Sequence, residues 1–188
     1  MTELLRELKI KDPLVKANGM KSATNFQKVK KFMICFGQEL PCKIQHQIPH
    51  PITDLRLRLI DEEVDELKDA IKNNDTVEIA DALADILYVV YGAAGAFGMD
   101  IDQIFDMVHT SNMSKLCLTE QIALDTVKWY KEHSEKGYPN PIYHPESEYW
   151  VVKCGDTGKV LKSINYFPVT NNLEKYIESD SDIPEVPV

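Results

Sequence analysis

The chain has 188 residues, 44% hydrophobic and 27% charged, with a net charge of −9. That is enough length for one domain with a real core and an ordinary soluble composition, and too much acid for a broad footprint on a nucleic-acid backbone. A nucleic-acid polymer is thereby excluded as a partner, whereas a nucleotide is not, because a metal ion and a few lysines reverse the local field.

Residues 1–21 hold a short LLREL pattern before Pro13 and Gly19 and read as a mobile arm or a short helix; no basic flank precedes an apolar run, so no signal peptide is expected. Thr24 and Gln27 have capping-box spacing. Phe26, Val29, Phe32, Met33 and Phe36 then recur at helical intervals up to Gly37. Residues 38–52, with His46, His50 and Pro51, read as a loop without a metal-binding histidine. Thr53 or Asp54 is the expected cap of the next helix, which runs to Asn73 with Leu55, Leu59, Ile60, Val64, Leu67 and Ile71 on its apolar side.

Asn73-Asn74-Asp75 is a turn, with Asp75 or Thr76 as the next N-cap, and a further helix extends from there to Phe97 and stops at Gly98. That helix, near membrane-spanning length, reads as a soluble bundle core because Asp81 and Asp85 interrupt it; no membrane partner is expected. Asp100 and Gln103 suggest a capping box for a helix with Ile101, Ile104, Phe105 and Val108 inward and His109 packed. Thr119 caps a helix with Ala123, Val127 and Tyr130 on one side, closed by Gly137. Pro139, Pro141 and Pro145 mark an extended loop. Tyr149–Lys153 and Lys159–Ser163 flank CGDTG as a small hairpin, and residues 171–188 read as an acidic, disordered tail. The cysteines, Cys35, Cys42, Cys117 and Cys154, show neither CxxC nor zinc spacing and read as reduced thiols of a cytoplasmic protein.

The chemistry concentrates on two helices. Glu63 and Glu66 are i, i+3; Asp81 and Asp85 are i, i+4, so each pair shares a helix face. The short turn makes the helices antiparallel neighbours. Like charges beside apolar stripes call for a common counter-charge, and hard carboxylate oxygens select Mg²⁺, with Mn²⁺ as the second choice. Glu62 or Glu78 is then left over, and a spare carboxylate near activated water is a general base. Asp65 and Asp69 fall further round the helix, toward solvent.

Glu62-Glu63-Val64-Asp65-Glu66 followed by Asp85 at the head of DILY resembles the signature of the MazG-like all-α nucleoside triphosphate pyrophosphohydrolases, EExxE and then ExxD. The second half departs: Ala82 stands where the glutamate belongs. Either Asp81 takes its place, giving DxxxD, or Glu78-xx-Asp81 is the literal ExxD. FGQELP, DALADILYVVYGAAGAFGMDID, SNMSKL and KVLKSINYFP, in that order, are similar to the phosphoribosyl-ATP pyrophosphohydrolase-like subgroup.

The resemblance covers residues 25–116. It implies an all-α fold, a four-helix-bundle MazG-like core with a small C-terminal β-hairpin, as a single domain over residues 1–170 with an insertion at 118–150. It also implies a homo-oligomer, a dimer or tetramer. The implied reaction is Mg²⁺-dependent hydrolysis of a nucleotide between the α- and β-phosphates. The implied residues are Glu62 and Glu63 as catalytic; Glu63, Glu66, Asp81, Asp85 and Glu78 as metal ligands; and Asn112, Lys115, Lys162, Asn165 and Tyr166 toward substrate. Arg56 and Arg58 face either phosphate or solvent, and Phe26, Phe36, Tyr88 and Tyr166 are candidates to stack on a base. A (deoxy)nucleoside triphosphate is the expected substrate, with phosphoribosyl-ATP as the alternative. A reading of another class is a metal-stabilised helical interaction module without catalysis. A di-iron bundle would need a Glu-x-x-His motif, which no helix carries.

Overall fold

A computed structural model describes residues 23–181. The chain divides into two compact units, Met1–Ile101 and Asp102–Val188, each built around its own core. The expected N-terminal arm and the last residues of the expected tail lie outside the described residues.

The first unit contains α1 (Asn25–Cys35), α2 (His50–Asn73) and α3 (Thr76–Ala96). The capping box of α1 forms as expected: the Gln27 N–H donates to Thr24 Oγ1 at 3.2 Å and the Thr24 N–H to Gln27 Oε1 at 3.0 Å. Helix α2 starts at His50, earlier than the expected caps Thr53 and Asp54. Pro51 falls in its first turn, where a missing N–H costs no helical bond, and Thr53 sits inside the helix with its hydroxyl bonded back to the His50 carbonyl at 2.9 Å. Asn74, left-handed at φ 54°, ends α2. Asp75 then caps α3, its carboxylate accepting from the N–H groups of Val77 and Glu78.

Helix α1 packs on the small-residue end of α3, where Gly92, Ala93, Ala94 and Gly95 are buried. A Cβ at Gly95 would stand 3.3 Å from Met33 Sδ, so glycine lets Phe26 and Met33 settle against the α3 backbone. Gly98 (φ 74°) is more constrained still, since a Cβ there would lie 2.0 Å from the Lys43 carbonyl oxygen. The loop at residues 43–45 therefore runs directly against the end of α3, and Gln45 N–H bonds the Phe97 carbonyl at 3.0 Å.

The second unit contains α4 (Ile101–Met113), α5 (Glu120–Glu132), a 3-10 turn (Ser134–Lys136), strands β1 (Pro141–Glu146) and β2 (Tyr149–Cys154), and α6 (Thr170–Ser181). Ala123, Val127 and Tyr130 of α5 form its core with Cys117, Val152, Cys154 and Leu161. Thr119 caps α5 as expected.

The hairpin is not where the sequence suggests. Its strands are β1 and β2, paired antiparallel from Pro141↔Cys154 to Glu146↔Tyr149, so the proline-marked loop is a strand. The segment after CGDTG contributes only an isolated bridge, Lys153↔Val160. Prolines fit β1 because their positions face away from β2. The main-chain groups of their partners Trp150 and Cys154 are spent on Cys117 and Lys159 instead, so no ladder bond is lost.

Two other expectations change. Thr170–Ser181 is helical, where a disordered tail was expected from residue 171; its spaced Leu173, Tyr176 and Ile177 supply an apolar side. On α4, Phe105 is 66% exposed and His109 is also exposed; the inward residues are Ile101, Ile104 and Val108, partly covered.

Candidate active site

The antiparallel pair α2–α3 gathers the acidic residues. Glu63 is half-buried, and its carboxyl is held above the usual range, first by burial and then by the negative charges of Glu66, Asp85, Glu62 and Asp81. Five carboxylates from two helices thus share one electrostatic neighbourhood. Asp85 is half-buried, while Glu62, Glu66 and Asp81 are exposed. The cation paired with this group is Arg58, whose Nε lies 3.7 Å from Glu62 Oε1 with both side chains more than half exposed, a geometry that contributes little. Glu78 is exposed in the first turn of α3 and is not among the charges acting on Glu63. Asp65 faces solvent and pairs with Lys68 at 2.8 Å, and Asp69 is exposed, both as expected.

Among the described residues, no three acidic, histidine or cysteine side chains stand in liganding geometry. The carboxylates are close enough to repel and not closed around a point. Their chemistry nonetheless fits a hard divalent cation: the donors are all oxygens, and the repulsion that raises Glu63 is what such a cation relieves.

Aromatic rings flank this group. Phe32 lies 4.3 Å from Phe36 and 5.5 Å from Tyr88, edge-on to the latter. All three are substantially exposed. The Tyr88 hydroxyl is raised by burial and by the charge of Asp85, one turn away. Phe26 is buried against Tyr91 and is not available for stacking.

Sequence reasoning treats Arg56 and Arg58 alike, and the structure separates them. Arg56 is 9% exposed; its Nη2 donates to Gln38 Oε1 at 2.7 Å, and its Nε has no partner among the described residues. Burial lowers its pKa, and a Cβ at Gly92 would lie 3.4 Å from Nη1. The only sequence signal for this contact is Gln38 in FGQELP.

In the second unit, several of the expected substrate residues meet. Lys115 Nζ donates to Asn112 Oδ1 at 2.7 Å. Lys162 Nζ sits 4.3 Å from the Tyr166 ring centre. The Tyr166 hydroxyl, 3.3 Å from that of Ser111, is held below its usual range by Ser111 first and then by Lys162 and Lys115. Asn165 is exposed, its N–H donating to Ser163 Oγ at 3.2 Å, and joins this group only as a chain neighbour. Lys115 and Lys162 also line a cavity of about 460 Å³, together with Lys136, Lys159, Trp129, Tyr130 and Tyr138. Of these last five, Lys136, Trp129 and Tyr138 carry no motif, while Lys159 and Tyr130 read only as motif and helix positions, which is why sequence reasoning missed them as site residues.

The sequence model of the phosphoribosyl-ATP pyrophosphohydrolase family matches residues 29–112, which run from α1 to the end of α4 and include every acidic residue discussed above. Uncharacterized protein L479 of Acanthamoeba polyphaga mimivirus is 30% identical, over 79% of this chain and 94% of its own length.

Proposed function

This chain belongs to the phosphoribosyl-ATP pyrophosphohydrolase family, a family of nucleotide pyrophosphohydrolases, and on that premise we propose that it hydrolyses a (deoxy)nucleoside triphosphate to a monophosphate and pyrophosphate with Mg²⁺ or Mn²⁺. The observation that carries this reading is the convergence of carboxylates from α2 and α3 on Glu63. Glu63, Glu66, Asp81 and Asp85 would hold the metal, with Glu78 available at the start of α3. The metal supplies neutralisation of the triphosphate oxygens and a more acidic water.

The residues of this chain do the rest. Glu62 or Glu63 takes the proton of the attacking water on a carboxylate oxygen. The new bond forms from water oxygen to the α-phosphorus, and the bond to the β-phosphate oxygen breaks, releasing pyrophosphate. Phe32, Phe36 and Tyr88 offer rings to the base beside Asp85.

Phosphoribosyl-ATP is the second reading, favoured by the description of the matching family. The DxxxD spacing and the long stretch beyond residue 112 favour the triphosphate. Pyrophosphate release with Mg²⁺ across ribo- and deoxynucleoside triphosphates and phosphoribosyl-ATP separates them by kcat/KM. Monophosphate plus pyrophosphate from the first time point is expected. Diphosphate plus orthophosphate would sink the reading, and no product from any nucleotide would leave the interaction module.

We further propose that the working form is an oligomer, at least a dimer. Only 33% of the most apolar stretch of α3 is buried, and Val77, Leu83, Leu87 and Val90 are exposed along it. A helix apolar nearly all round requires cover on more than one side. Sedimentation as a fully active monomer would rule this out.

A further inference from the structure

The cavity of the second unit has a composition that the carboxylate cluster does not explain. Four lysines line it, Lys115, Lys136, Lys159 and Lys162, and no acidic residue does. Among the described residues none of the four is in an ion pair. In a chain of net charge −9, four unneutralised ammonium groups around one concavity are held against mutual repulsion. Low-dielectric walls of Val160, Leu161 and aromatic rings focus that field.

The aromatic side is equally specific. Tyr130 is buried and fixed, its hydroxyl accepting from the Lys162 N–H at 3.1 Å. Trp129 is 36% exposed; it stacks on His133 at 4.2 Å and stands edge-on to Tyr130, so its ring plane is set before any ligand arrives. Lys159 Nζ lies 2.5 Å from the Tyr138 hydroxyl and over its ring, 4.9 Å from the centre, and Tyr138 packs against the core, so the ammonium is held in place on the cavity wall. About 460 Å³ is within the range of small-ligand pockets.

We propose that this cavity binds a nucleotide without metal, its phosphates on the four lysines and its base against Trp129. The nucleotide, as opposed to a bare polyphosphate, rests on the hydrolytic reading above; the anion rests on the cavity alone. Every lining residue falls beyond residues 29–112, and Trp129, Tyr130, Lys136 and Tyr138 belong to the segment 118–150.

The test is calorimetric titration in EDTA of the full chain with ATP and, separately, with inorganic triphosphate. ATP is expected to bind saturably, and triphosphate about tenfold more weakly, the share of a single stacked base. Lys136→Glu alone, at an exposed position, should weaken both, and Lys136→Glu with Lys159→Glu should weaken both more than tenfold. Trp129→Phe should weaken ATP and spare triphosphate. Asp85→Asn should bind ATP as the parent does.

No saturable binding, indifference to the lysine reversals, or loss in Asp85→Asn would each overturn the site. Triphosphate binding as tight as ATP would overturn the nucleotide assignment. Pyrophosphate release is measured separately with Mg²⁺, so failure of this site and failure of the hydrolytic reading are distinct results.

Discussion

The α2–α3 pair and the cavity of the second unit present opposite charges with the same scarcity of partners. Around Glu63 stand four further carboxylates and one exposed arginine; around the cavity stand four lysines and no acid. Ordinary protein surface intersperses the two signs. Here each sign is concentrated, and among the described residues the exposed Arg58–Glu62 pair is the one ion pair that either group makes. On the two proposals above, the chemistry a phosphate chain asks for would be divided accordingly, with oxygens to hold a cation in one place and cations to touch phosphate directly in another. The acidic region is readable as a motif on two helices. The basic region is assembled from a helix end, a 3-10 turn and a loop.

The sharpest way to break this comparison is Asp85→Asn. Losing one ligand of a metal that stabilises transition-state charge by several kcal/mol should cut pyrophosphate release about 10³-fold. The fold, measured by thermal unfolding, should stay intact, because one repulsive charge is gone. Wild-type turnover at saturating Mg²⁺ would show that the acidic group is not the metal site.

A second measurement asks whether the acidic group binds metal before substrate. Mg²⁺ at a hundredfold excess over its Kd should stabilise the parent by about 2.7 kcal/mol, seen as a rise in Tm, and Asp85→Asn should lose that rise. Asp75→Ala sharpens the contrast from the structural side. It removes the cap that joins α2 to α3 and should cost about 1 kcal/mol by denaturant titration. ATP binding in EDTA should be unaffected.

The smallest effect is on pH dependence. Glu63 has a raised folded-state pKa, so the folded protein binds more protons than the unfolded chain between the ordinary glutamate value and the raised one. Stability therefore falls as pH rises through that window, and the penalty is fully present above it. Glu63→Gln should raise Tm at pH 7 relative to the parent, and the difference should vanish as pH falls below about 4.3.

The helices were legible because their signals are local. Thr24, Asp75 and Thr119 cap the helices that their spacing suggests. Glu63, Glu66, Asp81 and Asp85 could be singled out because charge on an apolar periodicity is conspicuous. The hairpin was misplaced because Pro141 and Pro145 read as breakers, and whether a proline breaks a strand depends on which neighbour its missing N–H would have faced. The burial of Arg56 was invisible because its partner Gln38 lies in a loop and no spacing rule connects the two. Lys136, Lys159 and Trp129 were missed for a similar reason: a cavity is a property of distant segments, and none of its pieces carries a periodicity.

The prolines of β1 also govern how the sheet can grow. One side of β2 is paired with β1, and the other is occupied by Cys117 and by residues 159–161. The outer edge of β1 is what remains. Its outward-facing main-chain nitrogens belong to Pro141, Tyr143 and Pro145, from the register with Cys154, Val152 and Trp150, and two of those three have no hydrogen to give. A strand from another copy would find a template with most of its donors deleted. The free edge of the hairpin is thus made a poor template for edge-to-edge pairing by its own sequence.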